Sequence, residues 1–233
     1  MNDKELLSEE QLDFLCEMMS IGAGNAATAL TQMLRCQVDV KIPMIHELPA
    51  LQTPSVIGDP SLPAACVRMS LVGNIEGELF FIVPDEQKAT LIDLAERAML
   101  GGDGEKQGRR EIENEKSSPI FPFPDSLVLG PDLSVLTEIG NILAGVYLTA
   151  IHDFCQLNIY HSVPTIAIDM LQSLLDESII TLSRQVQKII LIENEFILEA
   201  NRIRTFLLVV PAAQSVRLLI DSIERARMVC CEG

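Results

Sequence analysis

Residues 134–164 read SVLTEIGNILAGVYLTAIHDFCQLNIYHSVP, and several polar residues of this stretch have counterparts earlier in the chain. We call four of these residues the second motif: Ser134, Glu138, Asn141 and Pro164. Their counterparts form the first motif: Asp13, Glu17, Ser20 and Pro43. Subtracting each residue number of the first motif from its counterpart in the second gives 121 every time. A constant offset of this kind indicates an internal repeat.

Two long helices are predicted to carry the motifs. Apolar residues recur at steps of three and four over residues 9–34 and 133–154. Ser8, followed three residues later by Gln11, predicts a capping box at the start of the first helix. Residues three or four apart share a helix face, so each motif predicts one polar stripe. The stripes differ where Asn141 has a carboxamide and Ser20 only a short hydroxyl, so we expect one working site and one degenerate site.

The same order of helix, strands and helix is predicted in both halves of the chain. We expect one α+β domain with a pseudo-twofold internal repeat, in which an antiparallel sheet packs against the helices that carry the two motifs. The halves cover about residues 8–100 and 132–230. The Gly-, Pro- and charge-rich segment of about 101–131 is predicted to be a linker or insertion. An extra helix is predicted at residues 166–175 of the second half.

Composition argues against several functions. The net charge of −16 argues against binding nucleic acid or anionic lipid. We find no secretory signal and no apolar run long enough to cross a bilayer, so we expect a cytoplasmic protein without membrane insertion. The six Cys residues form no Cys-x-x-Cys pair and no His has zinc-site spacing, which predicts buried free thiols and no metal site.

Three other patterns are interpreted as structural. The segment Gly22–Ala27 fits a dinucleotide-binding fingerprint, but a helical pattern precedes it where that motif needs a strand. His152 beside Asp153 is interpreted as a surface pair, since no nucleophile elbow accompanies it. The carboxylates of Glu193 and Glu195 are predicted to be solvated.

The doubled motif resembles the signature [DS]-x-x-x-E-x-x-N-x(22)-P of the CheC-type chemotaxis phosphatases, which include the related CheX and FliY proteins. The second motif satisfies the signature completely, and the first departs from it only at Ser20. The segments SIGAGNAATAL, EIGNILAGVYLTAI and IEGELFFIV are similar to the family as well. The likeness covers most of the chain except roughly residues 105–130.

This resemblance implies that the protein hydrolyses the aspartyl phosphate of the response regulator CheY. Asn141 would orient the attacking water and Glu138 would pair with a lysine of CheY, while Glu17 and Ser20 would form the degenerate site. Asp13, Ser134 and the two motif prolines would support these residues, with Pro164 shaping the chain after the helix. CheY would supply the phosphorylated Asp and its Mg²⁺, so the chain is expected to need no cofactor of its own.

The resemblance also implies binding to CheD, a receptor deamidase, because Asp169 in the segment AIDM resembles the helix used for that contact. Two other hypotheses stay open. Ser20 makes credible an adaptor that binds phospho-CheY or CheD and hydrolyses little. The third is an α+β binding domain whose repeat is purely structural.

Overall fold

The computed structural model describes residues 7–99, 131–176, 188–198 and 201–231. The predicted linker lies almost entirely outside these ranges. The helices are α1 (Glu9–Leu34), α2 (Thr53–Ile57), α3 (Asp85–Met99), α4 (Pro131–Cys155) and α5 (Ala213–Cys231). The strands are β1 (Val38–Val40), β2 (Met44–Pro49), β3 (Pro63–Gly73), β4 (Gly77–Pro84), β5 (Ile159–His161), β6 (Thr165–Met170), β7 (Lys188–Leu198) and β8 (Asn201–Pro211).

One antiparallel sheet contains all eight of these strands. Its order is β1-β7-β8-β4-β3-β5, with β2 pairing with β7 beyond β1 and β6 pairing with β3 beyond β5. The short strands of each half therefore pair with a long strand of the other half. Val38 of β1 lies opposite Leu198 of β7, and Ile159 of β5 lies opposite Gly73 of β3. The pair β4–β8 joins the two halves at the centre of the sheet.

The repeat predicted from the motifs is confirmed in the order and bounds of the elements. Adding 121 to the bounds of β1 gives those of β5, and adding 121 to the bounds of β2 gives those of β6. The residue after each motif helix is also equivalent: Arg35 has φ 54° and Gln156, 121 residues later, has φ 56°. Both residues thus turn the chain through the left-handed region into a short strand.

Two apolar cores cover the two faces of the sheet. The larger core lies under α1, α3, α4 and α5, and the smaller one lies under α2 and the helical residues 171–176. The capping box of α1 is formed as predicted, since the Ser8 side chain accepts from the Gln11 backbone and the Gln11 side chain accepts from the Ser8 backbone. Because α1 and α4 both cover the larger core, the two motif helices lie on the same side of the sheet.

The close contact between α1 and α4 depends on a glycine of α1. A Cβ atom on Gly22 would lie 2.8 Å from Cδ1 of Tyr147, so only glycine admits this ring. Tyr147 is fully buried, and its hydroxyl donates to Oδ1 of Asn194 on β7. The ring therefore ties the two motif helices to the sheet.

Three sequence interpretations were wrong. Residues 166–170, predicted to begin a helix over 166–175, belong to β6 along β3, and the helix starts only at residue 171. Pairing with β3 satisfies the backbone of this segment and overrides its local helical pattern. The strand β2 was missed altogether. Glu193 is only 8% exposed, because His46 and Arg204 pair with its carboxylate from the neighbouring strands.

The sequence interpretation found no apolar run long enough to cross a bilayer, but one described helix has the necessary length and apolar character. The stretch Leu133–Cys155 of α4 is long and apolar enough to cross a bilayer by length and composition. In the structure 56% of its most apolar window is buried against the rest of the molecule. A helix that packs in the core of a protein can have the same length and composition, and α4 packs one face against the larger core.

A candidate site on the two motif helices

The second motif lies along the outer face of α4. Ser134 and Glu138 are exposed and Asn141 is half-buried, while the neighbouring Leu136 and Ile139 are buried in the larger core. This division follows from the helical period, which places residues three and four apart on one face. The polar stripe predicted from the sequence is therefore present on α4.

The turn of α4 that carries the carboxamide lies close against the sheet. A Cβ atom on Gly140 would lie 2.9 Å from Cδ1 of Phe81 in β4, so glycine allows this close approach. Neither Glu138 nor Asn141 has an ion pair or side-chain hydrogen bond to another residue in the described ranges. The site thus presents a carboxylate and a carboxamide, one turn apart, on a helix that is firmly seated.

The first motif has the same placement and a different chemistry. Asp13 and Glu17 are exposed on α1, and Ser20 is half-buried. The Ser20 hydroxyl donates to the backbone oxygen of Cys16 at 2.7 Å, so its proton is used within its own helix. Burial, and then the carboxylate of Asp13, raise the pKa of the Cys16 thiol despite a hydrogen bond from the backbone at Ile45. The thiol therefore stays protonated at neutral pH and is a poor nucleophile.

The remaining predicted residues lie away from the helices. Pro43 directly precedes β2 and Pro164 directly precedes β6, so the structure places them where the chain enters the two edge strands. Asp169 was predicted on a helix, but it is an exposed residue of β6. Its Oδ1 accepts from the backbone N–H of Met170, just before the helical residues 171–176.

Sequence reasoning missed a groove beside α4, in which two of the three histidines of the chain lie. The signal was an extension of the repeat beyond the motifs. The offset of 121 also relates other identical pairs within the helices, including Ile21 and Ile142, Ala23 and Ala144, Gly24 and Gly145, and Thr28 and Thr149. Gly145 and Thr149 line the groove, so the matched pairs lead to it.

Metal binding has no support in the described part of the chain. No three His, Cys, Asp or Glu side chains in those ranges are grouped so that they could hold an ion. Among the described cysteines, Cys16, Cys66, Cys155 and Cys230 are free thiols, but only Cys66 and Cys155 of these are buried as predicted. Burial raises the pKa of Cys66 to about 12.

The fold and the site define a class of protein: a single α+β domain that displays two related acidic helices on one side of a shared sheet. Solved structures with this fold include FliY from Thermotoga maritima, with a TM-score of 0.63 and 20% identity, covering 94% of this chain and 98% of that one. The middle domain of FliM from H. pylori matches with a TM-score of 0.59 and 12% identity, covering 93% of this chain and 99% of that one. At these identities the matches establish the fold alone.

Sequence comparison establishes the family. The CheC-like family profile matches residues 132–168, the part of the chain that contains the second motif. The chain is 32% identical over 190 residues to the CheY-P phosphatase CheC of Bacillus subtilis, covering 80% of each protein. It is 28% identical over 98 residues to the flagellar motor switch phosphatase FliY of the same organism, covering 42% of this chain and 24% of FliY. The chain therefore belongs to the CheC-like family.

Proposed function

We propose that this chain is a phosphatase that hydrolyses the aspartyl phosphate of the chemotaxis response regulator CheY, at the second motif on α4. One observation carries the proposal. The carboxamide of Asn141 is half-exposed beside Glu138 without a described partner, whereas the Ser20 hydroxyl at the equivalent position is bonded within α1. The relative with 32% identity, whose name describes it as a CheY-P phosphatase, supports the same activity.

The chemistry needs little from this chain beyond orientation. A water oxygen forms a bond to phosphorus while the bond from phosphorus to the Asp oxygen breaks, which releases phosphate and restores the carboxylate of CheY. The planar carboxamide of Asn141 has an acceptor oxygen and two donor hydrogens that can fix this water. Holding a reactant in line in this way can supply a large rate acceleration without a covalent step.

Docking and the cofactor follow from the same division of labour. Glu138 is exposed and without a described partner, so its carboxylate is available to a lysine of CheY. Ser134, one turn earlier, extends the polar stripe, and Pro164 directs the chain into β6. Mg²⁺ would be held by CheY, and the chain itself would need no cofactor. A tightly bound metal in stoichiometric amount in the purified chain would contradict this assignment.

A second candidate function is a binding protein that hydrolyses little. The internal hydrogen bond of Ser20 favours it for the first motif, because Glu17 is left to bind CheY without a carboxamide beside it. CheD is a second partner in this proposal, with the exposed Asp169 of β6 as its contact. Both partners would place the chain in the cytoplasm without insertion into a membrane.

The two candidates are separated by catalytic turnover. Radiolabelled phospho-CheY is mixed with a tenth as much of the chain, and its decay is compared with that in Asn141→Ala. A phosphatase releases several phosphates per molecule of chain and loses this activity on substitution. Decay that neither protein accelerates would exclude the phosphatase. Retention of CheD by the wild-type chain and its loss in Asp169→Ala would then support the adaptor.

A further inference from the structure

The groove beside α4 begins about one helical turn after the proposed catalytic residue. Its volume is about 320 Å³, and its described lining comes from the second half of α4 and from β5: Gly145, Leu148, Thr149, His152, Ile159, Tyr160 and His161. Gly145 is four residues after Asn141, which corresponds to about 6 Å along the helix. A Cβ atom on Gly145 would meet nothing within 4 Å, so the groove is open at this residue.

Three polar side chains of the groove each donate one hydrogen bond to a backbone oxygen of the chain. The Thr149 hydroxyl donates to the backbone oxygen of Gly145 at 2.8 Å. Nδ1 of His152 lies 3.0 Å from the oxygen of Leu157, and Nδ1 of His161 lies 3.0 Å from the oxygen of Ser162. A carbonyl oxygen can only accept, so in each ring Nδ1 carries the hydrogen.

These bonds determine what the neutral groove can offer a ligand. Each imidazole retains a lone pair on Nε2, and the Thr149 oxygen retains its own lone pairs. The groove is therefore rich in hydrogen-bond acceptors. A group that only donates, such as an ammonium or a guanidinium, is the best complement to such a site.

The walls of the groove favour a cation on an aliphatic stem. Leu148 and Ile159 line the groove although both are largely buried, and Tyr160, which is 62% exposed, adds a large aromatic side chain. Lysine and arginine pack their methylene groups on apolar surface while the charged end reaches polar partners. An aromatic face adds a favourable contact with the cation. The net charge of −16 attracts the same kind of side chain.

We propose that this groove receives a lysine or arginine side chain of phosphorylated CheY while Asn141 faces its phosphate. The inference rests on the proposed function and extends it, since this contact is separate from the one assigned to Glu138. The first half lacks the two imidazoles and the aromatic ring, because the residues 121 positions before His152, Tyr160 and His161 are Thr31, Asp39 and Val40. The groove would therefore direct CheY to the half that contains Asn141.

The test compares two substitutions of one histidine. Leucine at position 152 removes the acceptor, whereas glutamine keeps an oxygen near the position of Nε2. We expect His152→Leu to raise KM for phospho-CheY about fivefold to tenfold with kcat nearly unchanged, and His152→Gln to remain near wild type. Affinity for phospho-CheY is also measured in an Asn141→Ala background, where we expect the same loss from His152→Leu without turnover.

A matched pair of glycines tests the open end of the groove. Gly145→Ala places a methyl group beside the groove, and Gly24→Ala makes the same change at the equivalent position of α1, where a Cβ atom would also meet nothing within 4 Å. Only Gly145→Ala is expected to raise KM. An equal effect of both alanines would overturn the assignment of the groove.

The remaining outcomes separate the groove from the catalytic proposal. If the wild type accelerates decay and His152→Leu changes neither KM nor affinity, the groove proposal is wrong and the phosphatase stands. If there is no acceleration but His152→Leu still weakens binding, the groove proposal stands and the phosphatase fails. A chain that neither accelerates decay nor binds phospho-CheY would overturn both. Equal losses in the leucine and glutamine variants would overturn the role of the acceptor.

Discussion

The helices α1 and α4 occupy equivalent places in the fold and differ in what they present to a partner. Both have an exposed glutamate one turn before the deciding residue, and both are followed by a left-handed residue and a short edge strand. The differences between them include Ser20 and Asn141, Gly22 and Leu143, and Thr31 and His152. The two halves thus keep the same backbone elements, whereas the proposed chemistry requires only one complete copy of the motif.

On the face of the sheet opposite the motif helices, both halves place an arginine over a phenylalanine ring, but from different positions. In the first half Arg68 lies opposite Phe80, is positioned over its ring and pairs with Glu78. In the second half Glu193 is the residue opposite Phe206, and the arginine over that ring is Arg204, which pairs with Glu193. The charges of the pair have been exchanged between strands. Equivalent positions can therefore be recognised by their contacts when their residues differ.

The largest difference between the two helices is expected in catalysis. Asn141→Ala should lower kcat for phospho-CheY hydrolysis by about 100-fold, because the attacking water loses its orientation. Ser20→Ala should leave kcat unchanged, since that hydroxyl is bonded to the backbone of Cys16. Initial rates of phosphate release measure both. A comparable loss in the two variants would show that the two copies work together, and unfolding curves provide the control for folding.

Two glycines of α1 should respond differently to substitution by alanine, because only Gly22 packs closely against α4. Gly22→Ala should lower the free energy of unfolding by about 1–3 kcal/mol, because its Cβ atom would press on the ring of Tyr147. Gly24→Ala, in open space, should raise it by about 0.5–1 kcal/mol through helix propensity. Urea denaturation of the two variants measures the difference. An effect of the same sign in both variants would contradict the close contact between Gly22 and Tyr147.

Docking should depend mainly on one carboxylate. Glu138→Ala is expected to raise KM about tenfold and to weaken the salt dependence of association, because an exposed charge that steers CheY is removed. Glu17→Ala should change KM less than twofold, since the site on α1 contributes little turnover. Rates at several phospho-CheY concentrations and two ionic strengths measure these effects. A larger effect of Glu17→Ala would move the main docking site to α1.

The smallest expected effect is a gain at the degenerate site. Ser20→Asn should raise the rate by about twofold at most, because a second working site can only double the number of sites. The double variant with Asn141→Ala gives the clearer measurement, since the rate then starts from background. Activity in the double variant above Asn141→Ala alone would show that the carboxamide was the missing group. No gain would mean that α1 lacks more than Ser20 shows.

The sequence predicted the long helices well because their signals are local. The bounds of α1 agree with the predicted range, and Ser8 forms the expected capping box. The sequence failed where structure depends on distant partners. Thr165–Met170 becomes a strand because β3 offers it an edge, and Glu193 is buried because Arg204 and His46 reach it from other strands.

The candidate site was predictable to a similar extent. The repeat placed both motif stripes on helices, but it could not reveal that the Ser20 hydroxyl is bonded to its own backbone. The groove was missed because His152 and His161 come from different elements and meet only in the folded chain. Asp169 was assigned to a helix because its segment was judged by local pattern, and pairing with β3 decides otherwise.

The exchange of edge strands has a consequence for the copy that lacks the carboxamide. The long strand β7 depends on β1 and β2 for its neighbours, and β3 depends on β5 and β6. A chain cut between the halves would leave both long strands with bare edges, which invite aggregation. The copy with Ser20 thus supplies two neighbouring strands to the other half whether or not it hydrolyses phosphate, and removing either half would expose a long strand of the half that remains.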